Sequence, residues 1–149
     1  MTKYGSLIDA LKVKNLGCQS GWVDGSSYNL GCLYFHSVSM TPIEGEQFCQ
    51  NKLNGSYLVE IYDSSQQNFI KQKLSQIGGN NSWWTGLEYK NGEYLWRHSN
   101  QKANYVSWSY GGDTKGGSSY SGMMLYKNSG YDWYYTYWKY NYVICQIKQ

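Results

Sequence analysis

Four cysteines constrain this chain more than any other feature. Cys18, Cys32, Cys49 and Cys145 include no C-x-x-C pair, which leaves zinc and thioredoxin-type redox chemistry without support. An even number in a small, loop-rich chain points to two disulfides and an oxidising, extracellular compartment. The sequons Asn54-Gly55-Ser56 and Asn80-Asn81-Ser82 agree with a secretory route. A chain of 149 residues suits one domain. It is long enough to bury a core without a structural metal. No apolar stretch approaches the roughly 18 residues of a membrane-spanning helix.

Aromatic residues make up 18% of the chain and charged residues 15%, with 17 Tyr and 7 Trp. Disordered chains are poor in aromatics, so this composition predicts a folded domain. Tyr and Trp also suit recognition surfaces, because they offer large contact area, few rotatable bonds and a polar edge. The formal net charge is +3, and the 13 Lys and Arg are scattered, with no basic run. A nucleic-acid partner is therefore not expected.

Residues 1–16 read as an N-terminal extension with a short apolar stripe of Leu7, Ile8, Leu11 and Val13, and the domain runs over 17–149. Leu33-Tyr34-Phe35-His36 predicts a strand. Thr41, Pro42 and Glu44 then form a T-x-x-E start signal for a helix to about Leu53, burying Phe48, Cys49 and Leu53. After a strand at 57–61, Ser64 and Gln67 predict a second capping box. Phe69, Ile70, Leu74 and Ile77 share one helical face, and Gly78-Gly79-Asn80 stops it. Strands at 83–87 and 93–96 are joined by an Asn91-Gly92 hairpin turn. Residues 97–122 are a long polar loop, and such loops in small domains are usually functional. Segments 123–126, 133–137 and 142–147 read as closing strands. Two helices followed by strands around one loop give an α+β fold.

The order of these features resembles the C-type-lectin-like family in its long form, over about Gly17 to Gln149. Gly21-Trp22 between Cys18 and Cys32 resembles the family's N-terminal hairpin. Tyr57-Leu58-Val59-Glu60-Ile61 is similar to its L-V-x-I strand, and Trp84-Thr85-Gly86-Leu87 to its W-I-G-L signature. Trp96, Trp108 and Ile144-Cys145 follow in the family's order. The resemblance implies a C-type lectin-like fold of two helices and mixed antiparallel sheets. It also implies disulfides Cys18–Cys32 and Cys49–Cys145.

Departures from the family bear on function. Two further family cysteines are replaced, by spacing, with Met123 and Tyr137. Sugar-binding members carry E-P-N or Q-P-D where this chain has Gly112-Asp113-Thr114, and the single proline of the chain is Pro42. The family's W-N-D motif becomes Asp132-Trp133-Tyr134. At a second family calcium site near the second helix, Glu60 remains, but Tyr62, Gln66 and Gln146 stand where acids are frequent. Calcium takes six to eight oxygens, so the expectation is no metal and no cofactor. Asp113 and Asp132 are the first candidates should calcium bind.

Catalytic signals are absent. His36 and His98 lie in no H-E-x-x-H motif, all four cysteines go to disulfides, and no G-x-S-x-G elbow occurs. The expectation is a recognition module, not an enzyme. It binds an extracellular protein or glycan through the long loop and aromatic strands, with Tyr110, Asp113, Tyr120, Tyr134 and Tyr135 as contact residues. Trp108 and Trp133 are expected in the core. The alternatives are a lectin with an atypical calcium site at Asp113 and Asp132, and a surface-active protein binding ice or mineral.

Overall fold

The T-x-x-E signal at Thr41 is realised as a reciprocal capping box. Glu44 N–H donates to Thr41 Oγ1 at 3.2 Å, and Thr41 N–H donates to Glu44 Oε1 at 2.9 Å. Pro42 opens helix α1, Pro42–Lys52, and Leu53 closes it. Cys49 is buried on its inner face, while Phe48 and Leu53 are half-buried. The structure, a computed structural model, describes residues 17–116, 121–137 and 140–148. The predicted extension 1–16, with its apolar stripe, lies outside the described residues.

Around α1 and α2 (Ser64–Ile77) the strands are β1 Val23–Asp24, β2 Cys32–Met40, β3 Tyr57–Leu58, β4 Trp83–Trp84, β5 Leu87–Lys90 and β6 Glu93–Trp96. The last three are β7 Gly122–Tyr126, β8 Asp132–Thr136 and β9 Asn141–Ile147. The main sheet has the order β1-β2-β9-β4-β7-β8, and β3 also pairs with β9. All pairs in it are antiparallel except β9 with β4. Strands β5 and β6 form a separate hairpin whose turn residues Asn91 and Gly92 have φ of 53° and 80°. The two positive φ values are what an Asn-Gly turn supplies.

Two sequence expectations need correction here. The predicted strand 83–87 is two strands in different sheets. The chain leaves the main sheet at Thr85-Gly86, where Thr85 N–H donates to Met123 O at 3.0 Å and Gly86 N–H to Val59 O at 2.9 Å. The second capping box does not form. Asp63 is the N-cap of α2, its Oδ1 accepting from Gln66 N–H at 2.8 Å. The carboxylate outcompetes the neighbouring Ser64, which frees Gln67 to turn inward.

Alternation along the sheet sorts side chains onto two apolar layers. Trp83, Met123, Leu125, Trp133, Tyr135 and Ile144 face the α2 side with Ile70 and Leu74. Trp84, Met124, Val143 and Cys145 face the α1 side with Cys49 and Leu58. Of the predicted α2 face, Phe69 is half-buried and Ile77 is exposed. Gln67 joins α2 to β8, its Nε2 donating to Tyr131 O at 3.0 Å and its Oε1 accepting from Trp133 Nε1 at 2.8 Å.

Both expected disulfides are formed. Cys18 joins Cys32 beside β1, and Cys49 joins Cys145, tying α1 to the central strand β9. The second bond spans a sequence separation of 96. Chain entropy assigns such a crosslink about 4–5 kcal/mol. The two positions matched to the missing cysteines are not cross-strand partners. Met123 pairs with Tyr135 and packs in the core, whereas Tyr137 lies past the end of β8 and is exposed.

Candidate functional site

The long loop returns along β8 as an irregular edge. Trp133 N–H donates to Ser107 O at 2.8 Å, Ser109 N–H to Trp133 O at 2.9 Å, and Tyr135 N–H to Gly112 O at 2.9 Å. The hydroxyls of Ser109 and Thr114 donate to Trp133 O and Tyr135 O at 2.8 and 2.7 Å. A Cβ at Gly112 would lie 2.2 Å from Trp133 O, so only glycine allows this approach. Backbone and hydroxyl bonds therefore hold residues 107–114 against β8. Trp108 is half-buried against the core and meets the fully buried Trp133 edge-on at 5.7 Å. At the tip of this segment Tyr110 is fully exposed.

Beside Tyr110 lies a polar clasp. Tyr94 Oη donates to Asp113 Oδ1 at 2.7 Å, Lys115 Nζ donates to Asp113 Oδ2 at 3.0 Å, and Lys115 N–H donates to Tyr94 Oη at 3.0 Å. Desolvation pushes the Asp113 carboxyl up, but the bonds from Tyr94 and Lys115 outweigh it and hold the group below the ordinary carboxylate value. Burial, and then the bond to Asp113, push the Tyr94 phenol well above its usual range. The Asp113 carboxyl is therefore ionised at neutral pH and accepts both bonds.

The expected aromatic patch is only partly assembled. Tyr135 is a correction. Its ring is buried at 2% exposure, and its hydroxyl accepts from Tyr89 N–H at 2.8 Å. It follows Trp133 by two residues and so shares that residue's inward face. Tyr134, one residue away, faces the opposite layer, half-buried against Tyr126 at 5.3 Å. Adjacent strand residues cannot both point outward, which the reading of both as exposed overlooked. Tyr120 lies outside the described residues. Tyr137 and Tyr140 are exposed, at 49% and 66%, and were not among the contact residues read from sequence. Strand-end position was the available signal.

The two acidic candidates are engaged by separate donors. Asp132 Oδ1 accepts from Lys71 Nζ at 3.2 Å and from Ser107 Oγ at 3.3 Å. Asp113 is held in the Tyr94–Lys115 clasp described above. Near α2, the Glu60 carboxylate accepts from the Tyr62 hydroxyl and from Ser99 N–H at 3.0 Å. Gln146 Oε1 accepts from Glu60 N–H at 2.9 Å, and its Nε2 donates to Leu30 O at 2.8 Å. Among the described residues no three His, Cys, Asp or Glu converge as a metal group. These donor sets fall short of the six to eight oxygens that calcium takes, and they do not fit it.

The model of the C-type lectin domain matches residues 38–147. The chain belongs to the C-type lectin domain family. As a C-type lectin domain it is 30% identical to Snaclec B9 of Macrovipera lebetinus over 111 residues, covering 71% of this chain and 73% of that relative. It is 33% identical over 75 residues to one chain of the snaclec coagulation factor IX/factor X-binding protein of Gloydius halys, covering 49% of this chain and 47% of the relative. The solved structure of human lithostathine superposes with a TM-score of 0.75 at 23% identity, covering 89% of this chain and all of that one. At that identity the likeness shows the fold alone.

Proposed function

We propose that this C-type lectin domain is an extracellular recognition module, not an enzyme, whose long-loop face binds a protein partner without calcium. The observation that carries this reading is Tyr110, fully exposed at the tip of a loop that backbone bonds hold against β8. Loops on a rigid scaffold are where recognition concentrates. A ring that projects fully from the surface can anchor in a pocket of a partner protein. Asp113 and Lys115, three and five residues on in the same segment, add polar groups to this face. A relative named for binding coagulation factors supports a protein ligand over a glycan. Two disulfides support an extracellular setting. Among the described residues no helix is long and apolar enough to cross a membrane.

The test is a binding screen against extracellular proteins, run beside a glycan array, each with and without EDTA. The expected result is a protein ligand that survives EDTA and loses about tenfold or more in affinity with Tyr110→Ala. Glycan binding abolished by EDTA would replace this reading with that of a lectin using Asp113 and Asp132.

A further inference from the structure

Two tripeptides, Asn54-Gly55-Ser56 and Asn80-Asn81-Ser82, have the form of acceptors for N-linked glycosylation. In both, the asparagine is exposed and the serine is buried, Ser56 at 2% and Ser82 at 8% exposure. The serine hydroxyl is part of the acceptor. The folded domain therefore withholds both sites, and transfer has to precede folding. What decides between them is how early each serine is taken.

Ser56 is taken by its neighbours. Its N–H donates to Leu53 O at 2.9 Å, and its Oγ donates to Cys49 O, seven positions back in the last turn of α1. The helix carries its own local start signal, the Thr41–Glu44 box. Contacts this close in sequence form within microseconds, and every residue they need is made before the tripeptide is complete. Ser82 is taken from afar. Its Oγ accepts from Lys127 N–H at 2.9 Å, 45 positions on, and its carbonyl accepts from Tyr142 N–H at 3.1 Å. Among the described residues the adjoining strand β4 pairs with β7 and β9, both later in the chain. At about 5–20 residues per second, those 45 residues take about 2–9 s to be made. Through that interval Ser82 has neither of its native partners.

The folded loop also has room for the product. The Asn80 side chain makes no hydrogen bond among the described residues. A Cβ at Gly78 or Gly79 would meet nothing within 4 Å. Three residues before Asn80, Ile77 is 46% exposed and lines an apolar groove with Val23 and Phe35. A glycan on Asn80 stands next to that patch.

We infer that Asn80 is the N-glycosylation site of this chain and that Asn54 is largely passed over. The donor is a lipid-pyrophosphate-linked oligosaccharide. A bond forms between Asn80 Nδ2 and the anomeric carbon of the donor. The bond from that carbon to a pyrophosphate oxygen breaks, the lipid pyrophosphate leaves, and the amide gives up one proton. The inference rests on the extracellular setting proposed above.

The experiment supplies that setting, so a negative result bears on Asn80 and not on the setting. The full chain is expressed behind a cleavable secretion signal in insect cells, and secreted and retained protein are pooled. Peptide N-glycosidase in heavy-oxygen water converts each glycosylated asparagine to a labelled aspartate. The two sites fall on separate tryptic peptides, and an enzyme-free control corrects for spontaneous deamidation at Asn54-Gly55. Asn80 should be labelled in most molecules and Asn54 several-fold less. Asn80→Gln should remove the main glycoform. Because that side chain is exposed and unbonded, the variant should melt with the enzymatically deglycosylated parent. Absence of label at Asn80, or label at Asn54 equal to or above that at Asn80, would overturn the inference.

Discussion

The backbone N–H of Tyr89 donates to the hydroxyl of Tyr135 at 2.8 Å, which fastens the β5–β6 hairpin to the last strand of the main sheet. Tyr135 also meets Tyr94 edge-on at 5.3 Å. The ring is thus a structural bolt behind the loop. Tyr135→Ala should destabilise the domain by about 3–5 kcal/mol, as large buried aromatics do. Tyr135→Phe should lose about 1–3 kcal/mol, because it leaves the Tyr89 N–H without that acceptor. Tyr110→Ala should change stability by no more than about 0.5 kcal/mol. Urea denaturation of the three variants checks the contrast, and a large loss for Tyr110→Ala would contradict its exposed position.

Gln67 carries the second junction between layers. Its buried amide serves Tyr131 O and Trp133 Nε1 at once. Gln67→Leu keeps the volume but orphans both groups, and should cost about 1–3 kcal/mol for each group left unpaired. Gln67→Glu keeps an acceptor for Trp133 but buries a carboxylate against the Tyr131 carbonyl, so at neutral pH it should fall at least as far as Gln67→Leu. Thermal melts rank the three, and an unchanged Gln67→Leu would refute the assigned role.

The parts legible in the sequence were those with local chemistry. The Thr41–Glu44 box and the Asn91-Gly92 turn act through near neighbours and were realised, and the disulfide pairing that the family resemblance implied formed as well. Gln67 was misread because both capping patterns satisfy the same spacing, and only the tertiary partner Trp133 decides between them. Tyr135 was misread for want of a register: period two was known, but which parity faced inward was not applied through to its neighbour. The stacking of the Tyr57 and His98 rings could not be read, since the two residues stand 41 positions apart and meet only after folding.

His36 sets a pH dependence of stability. It stacks on Phe48 with centroids 3.8 Å apart, and burial, then the nearby Lys52 charge, hold its pKa below the ordinary 6.5. The unfolded chain therefore takes up this proton first. Stability from this group is fully present above about pH 6.5 and declines as the pH falls through the lower folded value. His36→Gln should flatten the slope of stability between about pH 7.5 and about pH 5. Denaturation midpoints across that window test it, and an identical slope in the variant would exclude His36 as the source.

Calcium should leave the melting temperature unchanged. A ligand that binds only the folded state raises its stability by mass action. Here Asp113, Asp132 and Glu60 are each engaged by donors of the chain itself. Melts in millimolar calcium and in EDTA should coincide. A chelator-reversible rise of several degrees would show a site, and Asp113→Asn and Asp132→Asn would then locate it.

The clasp at Tyr94 should govern order in the loop more than stability of the fold. One hydroxyl joins β6 to two points of the loop, donating to Asp113 and accepting from Lys115 N–H. Tyr94→Phe removes both bonds while leaving the ring against Trp108 at 4.8 Å and Tyr135 at 5.3 Å. Global stability should therefore fall by only about 1 kcal/mol. Segment 110–116 should open more often, since the bonds that still tie it to β8 are Tyr135 N–H to Gly112 O and Thr114 Oγ1 to Tyr135 O. Asp113→Asn should act in the same direction but less, because an amide oxygen still accepts from Tyr94. Amide hydrogen exchange reads this directly: protection at Lys115 should drop several-fold in Tyr94→Phe, with protection in β9 nearly unchanged. A rigid Tyr110 tip depends on that order, so a partner's affinity should fall with protection. Equal loss of protection in β9 would mean that Tyr94 holds up the whole domain and not the loop.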